Sequence, residues 1–146
     1  METVGGARDG RVTQRFTQLR ASIRAVHLVH VPDTNRPRTI ATSVETADSV
    51  LTRGLGLMFR RSIPDGYALV FRFDTPRRRS VHMCFVPFAI DVLWLERERV
   101  TNVVRLDPWT GFDRGRGDTI VELPVGAADS IQVGDEVRLE VDARPR

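Results

Sequence analysis

The chain contains no lysine: all 22 of its basic side chains are arginines, set against 19 acids. It has a single cysteine and a single tyrosine. Cys84 alone cannot close an intramolecular disulfide, and a four-cysteine zinc pattern is excluded. One free thiol suits a reducing compartment, so a cytoplasmic location is expected. Long apolar runs are also missing. Phe85 to Trp94 is broken by Pro87 and Asp91, well short of the ~20 residues of a spanning helix. Arg20 and Arg24 likewise interrupt Phe16 to Val31, which argues against a secretory signal. No Gly-x-Ser-x-Gly elbow, phosphate-binding Gly-Lys or dinucleotide glycine fingerprint occurs.

What is present fits one globular domain. At 146 residues, 41% hydrophobic and 28% charged, the chain can build a core without metal or disulfide. The net charge of +3 is local. Residues 1–24 carry Arg8, Arg11, Arg15, Arg20 and Arg24 against only Glu2 and Asp9, so the remainder is neutral. The pI of about 10.3 therefore gives no reason to expect binding to nucleic acid or membrane. We expect a mobile basic tail over 1–24, with a short helix over Thr13 to Ile23, and a single β domain over 25–146.

Hydrophobic periodicity supports that division. Val26 to Val31 reads as a strand, Pro32 to Pro37 as a turn, and Arg38 to Thr42 as a returning strand. Ser43 can cap a helix from about Val44 to Arg53, stopped by Gly54. Tyr67 to Phe73 alternates with period two, and Asp74 to Arg79 reads as a polar loop. Ser80 to Val86 and Ile90 to Leu95 are β-rich, Glu96 to Arg99 suits a hairpin tip, and Val100 to Leu106 returns from it. Asp107 to Gly117 reads as a glycine-rich loop, Thr119 to Leu123 as a strand and Val125 to Ser130 as one helical turn. Glu136 to Asp142 alternates cleanly. Short strands at this spacing with one short α-helix define a mainly β class, a compact sandwich or barrel.

Three segments stand in a fixed order. They are Arg53-Gly-Leu-Gly-Leu-Met-Phe-Arg60, then Met83 with Asp91 eight residues later in Ile90-Asp-Val-Leu-Trp-Leu95, then Val121-Glu-Leu-Pro-Val-Gly126 followed by Gly134-Asp135. In that order and spacing the chain resembles the uncharacterised bacterial and archaeal domain-of-unknown-function family one hundred and ninety-two, over roughly Val26 to Val141. The resemblance implies a compact, mainly β domain with one conspicuous helix, and no particular activity. The family pattern falls on Arg53, Gly56, Leu57, Met58 and Arg60, on Met83, Ile90 and Asp91, and on Glu122, Leu123 and Gly126. Where members often carry Trp-Met-Lys-Asn-Thr, this chain reads His82-Met-Cys-Phe-Val86, which weakens any carry-over of activity from those polar positions.

The candidate ligand-binding residues are Arg53, Arg60, His82, Asp91, Trp109 and Glu122. Arg53, Arg60 and Asp91 suggest an anion pocket, because a guanidinium fork matches carboxylate or phosphate. The plainer alternative is a structural salt bridge from the helix end to the sheet through Asp91. His82 and Cys84 share a strand face, yet with Asp91 they make at most three zinc ligands, so neither metal nor cofactor is assigned. Cys84 with His82 lacks the orienting acid of a nucleophile pair. Arg77 to Arg79 reads as a solvated loop rather than a nucleic-acid footprint. Trp94 belongs to the core, whereas Trp109 in its loop is free to meet a ligand. Glu122 lies between apolar neighbours, and pairing with an arginine is its ordinary fate. The expected function is a non-enzymatic domain binding a small anionic or polar ligand, or a protein partner, near Arg53, Arg60 and Asp91. No specific nucleic acid and no membrane are expected as partners. The alternative is a hydrolytic enzyme using His82 or Asp91 as acid or base.

Overall fold

Among the described residues, eight strands make up the regular structure: β1 (Val26–Val31), β2 (Arg38–Ala41), β3 (Ser43–Thr46), β4 (Tyr67–His82), β5 (Ile90–Glu96), β6 (Arg99–Leu106), β7 (Phe112–Pro124) and β8 (Glu136–Val141). The structure is a computed structural model and describes residues 25–34, 36–47 and 56–142, none of them helical. The basic segment 1–24 lies outside the described residues. The mainly β class expected from the alternating pattern is the one observed.

The strands form one sheet in the order β2-β1-β8-β6-β5-β7-β4-β3. β3 and β4 run parallel, while the other pairs are antiparallel. β2 ends at Ala41 and β3 begins at Ser43, so Thr42 alone joins the two outermost strands. The amides of Thr42 and Ser43 both donate to the Gly66 carbonyl, at 2.9 and 3.0 Å. The sheet is therefore coiled round on itself, which brings β1 against β3.

Period-two alternation divides the apolar residues between two cores. Ala68, Val70, Leu93, Leu95, Val121 and Leu123 face the inside of the coil with Leu28 and Val137. Leu69, Phe71, Val92, Trp94 and Ile120 take the opposite face and pack with Leu57, Met83 and Val86. Burying each side chain of this size contributes roughly 1.5–3 kcal/mol. β5 is covered on both faces, which explains its nearly unbroken apolar run.

Several boundaries differ from expectation. The helix over 44–53 is absent where it is described: Val44 to Thr46 lie in β3, where β-branched side chains suit the pleat, and 48–53 fall outside the described residues. Asp74 to Arg79 is strand rather than loop, since β4 continues through a register shift between Arg72 and Arg77. The Arg79 guanidinium lies 3.6 Å from the Phe73 ring centre, so its stem packs along the strand. The loop expected over 107–117 ends at Gly111, and Gly115 and Gly117 belong to β7. A Cβ at 115 would stand 2.5 Å from Trp94 Cγ, and one at 117 would stand 2.4 Å from the Leu95 carbonyl oxygen. These glycines permit close approach rather than a turn. Residues 125–130 form tight turns, with the Ala127, Asp129 and Ile131 amides each donating three residues back, in place of the helical turn expected there.

Candidate functional site

The outer core is not completely filled. A cavity of about 130 Å³ opens on it, with walls that include Leu57, Met58, Phe71, Val86, Ile90 and Ile120. Exposed Ser80 and His82 line its outer part, while buried Glu122 lines it from within. Alternation along β7 places Glu122 here: Ile120 and Glu122 face outward, Val121 and Leu123 inward. Gly56 borders the carboxylate and holds φ 49°, a conformation that favours glycine; a Cβ there would make only ordinary contacts, 3.4 Å from Phe71 Cζ and 4.0 Å from Glu122 Oε2.

Glu122 is 7% exposed, and its Oε2 has no hydrogen-bond partner among the described residues. Buried carboxylates are ordinarily paired or hydrogen-bonded, so an unpaired one facing a cavity is a functional signal. Burial pushes its pKa up to about 7, against a smaller downward pull from Arg60. At neutral pH the group is therefore poised between acid and carboxylate.

Three loops meet beside the cavity and are tied together by backbone hydrogen bonds. The Phe59 amide donates to the Phe85 carbonyl (2.9 Å), Trp109 to Val86 (3.0 Å) and Met83 to Gly111 (2.9 Å). Each loop presents an exposed aromatic residue: Phe59 is 67% exposed, Phe85 53% and Trp109 58%. All three hold positive φ, at 65°, 59° and 66°. For bulky residues that conformation costs of order 1–3 kcal/mol each, and such strain clusters at functional sites. The Phe59 and Phe85 rings stack with centroids 5.0 Å apart.

The structure separates residues that the sequence suggested as one cluster. Arg60 donates to Tyr67 Oη (2.9 Å) and to Glu45 (3.1 and 3.3 Å), not to Asp91. The Tyr67 hydroxyl, then Arg60, hold the Glu45 carboxyl below its ordinary range. Asp91 faces the other way and pairs with Arg105 at 2.8 Å, which drives that guanidinium further toward its charged form. Its Oδ2 also accepts from the amides of Gly126 (2.9 Å) and Ala128 (3.1 Å). The salt-bridge role considered for Asp91 is thus filled by Arg105, an arginine the sequence did not single out. Arg53 lies outside the described residues. His82 and Cys84 are both exposed, and no three His, Cys, Asp or Glu side chains gather around one point among the described residues. Trp94 is buried and donates its indole N–H to the Arg79 carbonyl at 2.9 Å.

Sequence reasoning missed Phe59, Phe85 and the Glu45–Arg60–Tyr67 group. An aromatic directly after Leu57-Met58 was the available signal for Phe59, whereas Glu45 carried none once its segment was read as helix. It also missed buried His30, whose Nε2 lies 2.7 Å from Asp135 Oδ2 and ties β1 to the turn before β8. Burial opposes the Asp135 charge, but the Gln132 amide and His30 hold its pKa below the usual value on balance.

A coiled β domain with a cavity on its outer core and a buried acid in that cavity is the class these features define. The chain belongs to the DUF192 family, described as "Uncharacterized ACR", whose model matches residues 31–139. A UPF0127 protein of Thermococcus sibiricus is 36% identical over 105 residues, 68% of this chain and 67% of its own length. Another from Pyrococcus horikoshii is 38% identical over 101 residues, 65% of this chain and 85% of its own. A solved structure of a protein of unknown function from Novosphingobium aromaticivorans has a TM-score of 0.66 at 22% identity, covering 92% of this chain and 99% of that one. The solved structure of a protein from Sinorhizobium meliloti, described as a "putative transcription regulator", also has a TM-score of 0.66, at 21% identity, covering 81% of this chain and 95% of that one. These likenesses show the fold. No helix among the described residues is long and apolar enough to cross a membrane.

Proposed function

We propose that this protein is a non-enzymatic binding domain whose cavity takes a small ligand with an apolar body and an amine-type head group. The buried Oε2 of Glu122, without a hydrogen-bond partner among the described residues, carries the reading. Apolar side chains with a few placed polar groups, here Glu122 within and Ser80 and His82 at the outer part, are the usual make-up of a small-molecule site. A donor head group satisfies the carboxylate and, if cationic, favours its ionised form. An anionic head would face Glu122 instead, so the broader expectation of an anionic or polar ligand narrows to a donor. The site adjoins Arg60 but not Asp91. A cytoplasmic setting forms part of this reading and is supported by the exposed thiol of Cys84.

A hydrolytic role through His82 or Asp91 has less support. Asp91 has its oxygens engaged by Arg105, Gly126 and Ala128, and His82 has no hydrogen-bonded acid among the described residues.

Titration of the labelled protein with butylamine, butanol and butyrate, followed by NMR, tests the proposal. Butylamine is expected to shift the Leu57, Val86 and Ile120 amides, more strongly as pH rises from 6 to 8 and Glu122 ionises. The response should vanish in Glu122→Gln. Equal shifts from butyrate, or an undiminished response in the variant, would refute it.

A further inference from the structure

The exposed aromatics outside the cavity require an explanation that a small ligand does not supply. Phe59, Phe85 and Trp109 are not among the residues lining it, although each sits beside one that is, or is hydrogen-bonded to one: Met58, Val86 and, for Trp109, Val86 again. A ligand confined to the cavity would leave all three rings in water. Their loops nevertheless hold them out at positive φ and fasten the backbone in place. Rigid aromatic side chains fixed before binding are the usual anchors of a protein interface, because little freedom is lost when a partner covers them.

We infer that the occupant is a lysine side chain presented by a protein partner, its stem in the cavity and its neighbours seated on Phe59, Phe85 and Trp109. This rests on the amine reading above and names the source of the amine. Charge complementarity selects the residue type. Lysine has a flexible apolar stem that suits the Met58, Phe71 and Ile90 walls, and a compact head with three donors. Arginine would bring a planar head with five donors to the buried end of the cavity, where Glu122 is the one carboxylate in the described lining and Ser80 and His82 lie at the exposed outer part, leaving several donors unsatisfied. Lysine also releases its proton readily when buried, so the pair with Glu122 tolerates desolvation as an ammonium–carboxylate or an amine–acid couple. These 146 residues contain no lysine, so a second copy of them cannot supply this side chain.

The test compares butylamine with the tripeptide acetyl-Leu-Lys-Leu-amide and its arginine and norleucine counterparts. Binding to the full chain would be followed by NMR and calorimetry. The lysine peptide is expected to bind at least about tenfold more tightly than butylamine, by contacts with the rim. Phe85→Gly and Trp109→Gly should abolish that gain and leave butylamine binding unchanged. Glycine accepts positive φ, so both variants should keep the fold, with melting curves as the check. A lysine peptide no tighter than butylamine, a gain that survives both rim substitutions, or equal binding of the arginine or norleucine peptide would overturn the inference while sparing the amine site. Failure of butylamine itself to bind would overturn both.

Discussion

Asp91 and Glu122 lie on paired strands one register step apart, since Asp91 faces Leu123 and Val92 faces Glu122. Both are buried, at 2% and 7% exposure, yet their surroundings are opposite. Asp91 accepts from Arg105 and from two backbone amides and so fastens the 126–128 turn to the sheet. Glu122 has apolar neighbours and a cavity in front of it. One residue of offset on a strand puts them on opposite faces, and the face decides the role. A satisfied buried carboxylate is structural. An unsatisfied one destabilises the fold when ionised, which is why Glu122 carries the binding proposal above.

The sharpest way to break this contrast is to remove each acid. Asp91→Ala should cost about 4 kcal/mol in urea denaturation, chiefly because the Gly126 and Ala128 amides lose their acceptor. A loss below about 1 kcal/mol would mean that those bonds behave as surface contacts do. Glu122 should behave in the opposite sense. Its pKa is raised from 4.5 to about 7 on folding, so between those values the folded state holds a proton that the unfolded state has released. Wild-type stability therefore falls as pH rises through that window, by on the order of 3 kcal/mol. Glu122→Gln removes this slope, so its stability relative to wild type should climb by that amount between pH 4.5 and 8. A constant difference across the interval would contradict the burial of an unpaired carboxyl. The smallest effect is expected at the rim. Trp109→Gly should change stability by less than about 1 kcal/mol, because relief of positive φ offsets the greater freedom of glycine in the unfolded chain. A larger loss would make Trp109 part of the core rather than a surface anchor.

How much of this was legible in the sequence follows from the range of each interaction. Alternation in Tyr67 to Phe73 and Glu136 to Asp142 is a local signal: it located the first part of β4 with its faces and β8 with Val137 and Leu139 inward, whereas Val141, expected inward, is exposed. The spacing of Met83, Asp91 and Glu122 pointed to the family and so to the fold. Partners set by tertiary approach were not legible. Gly115 and Gly117 look like loop residues until Trp94 and Leu95 are brought against them. The Arg60–Glu45 pair depends on β3 lying parallel to β4, a pairing that local patterns do not encode. Glu122 was visible as an acid in an apolar run. That its Oε2 has no hydrogen-bond partner among the described residues became evident only once Arg60 was seen to be engaged by Glu45 and Tyr67.

The most direct test of the Glu122 account is an NMR pH titration of its side-chain carboxyl carbon, without and with saturating butylamine. The expected midpoint is about 7 in the free protein, moving down when the amine is bound. A midpoint near the ordinary 4.5, or one that butylamine leaves in place, would contradict it.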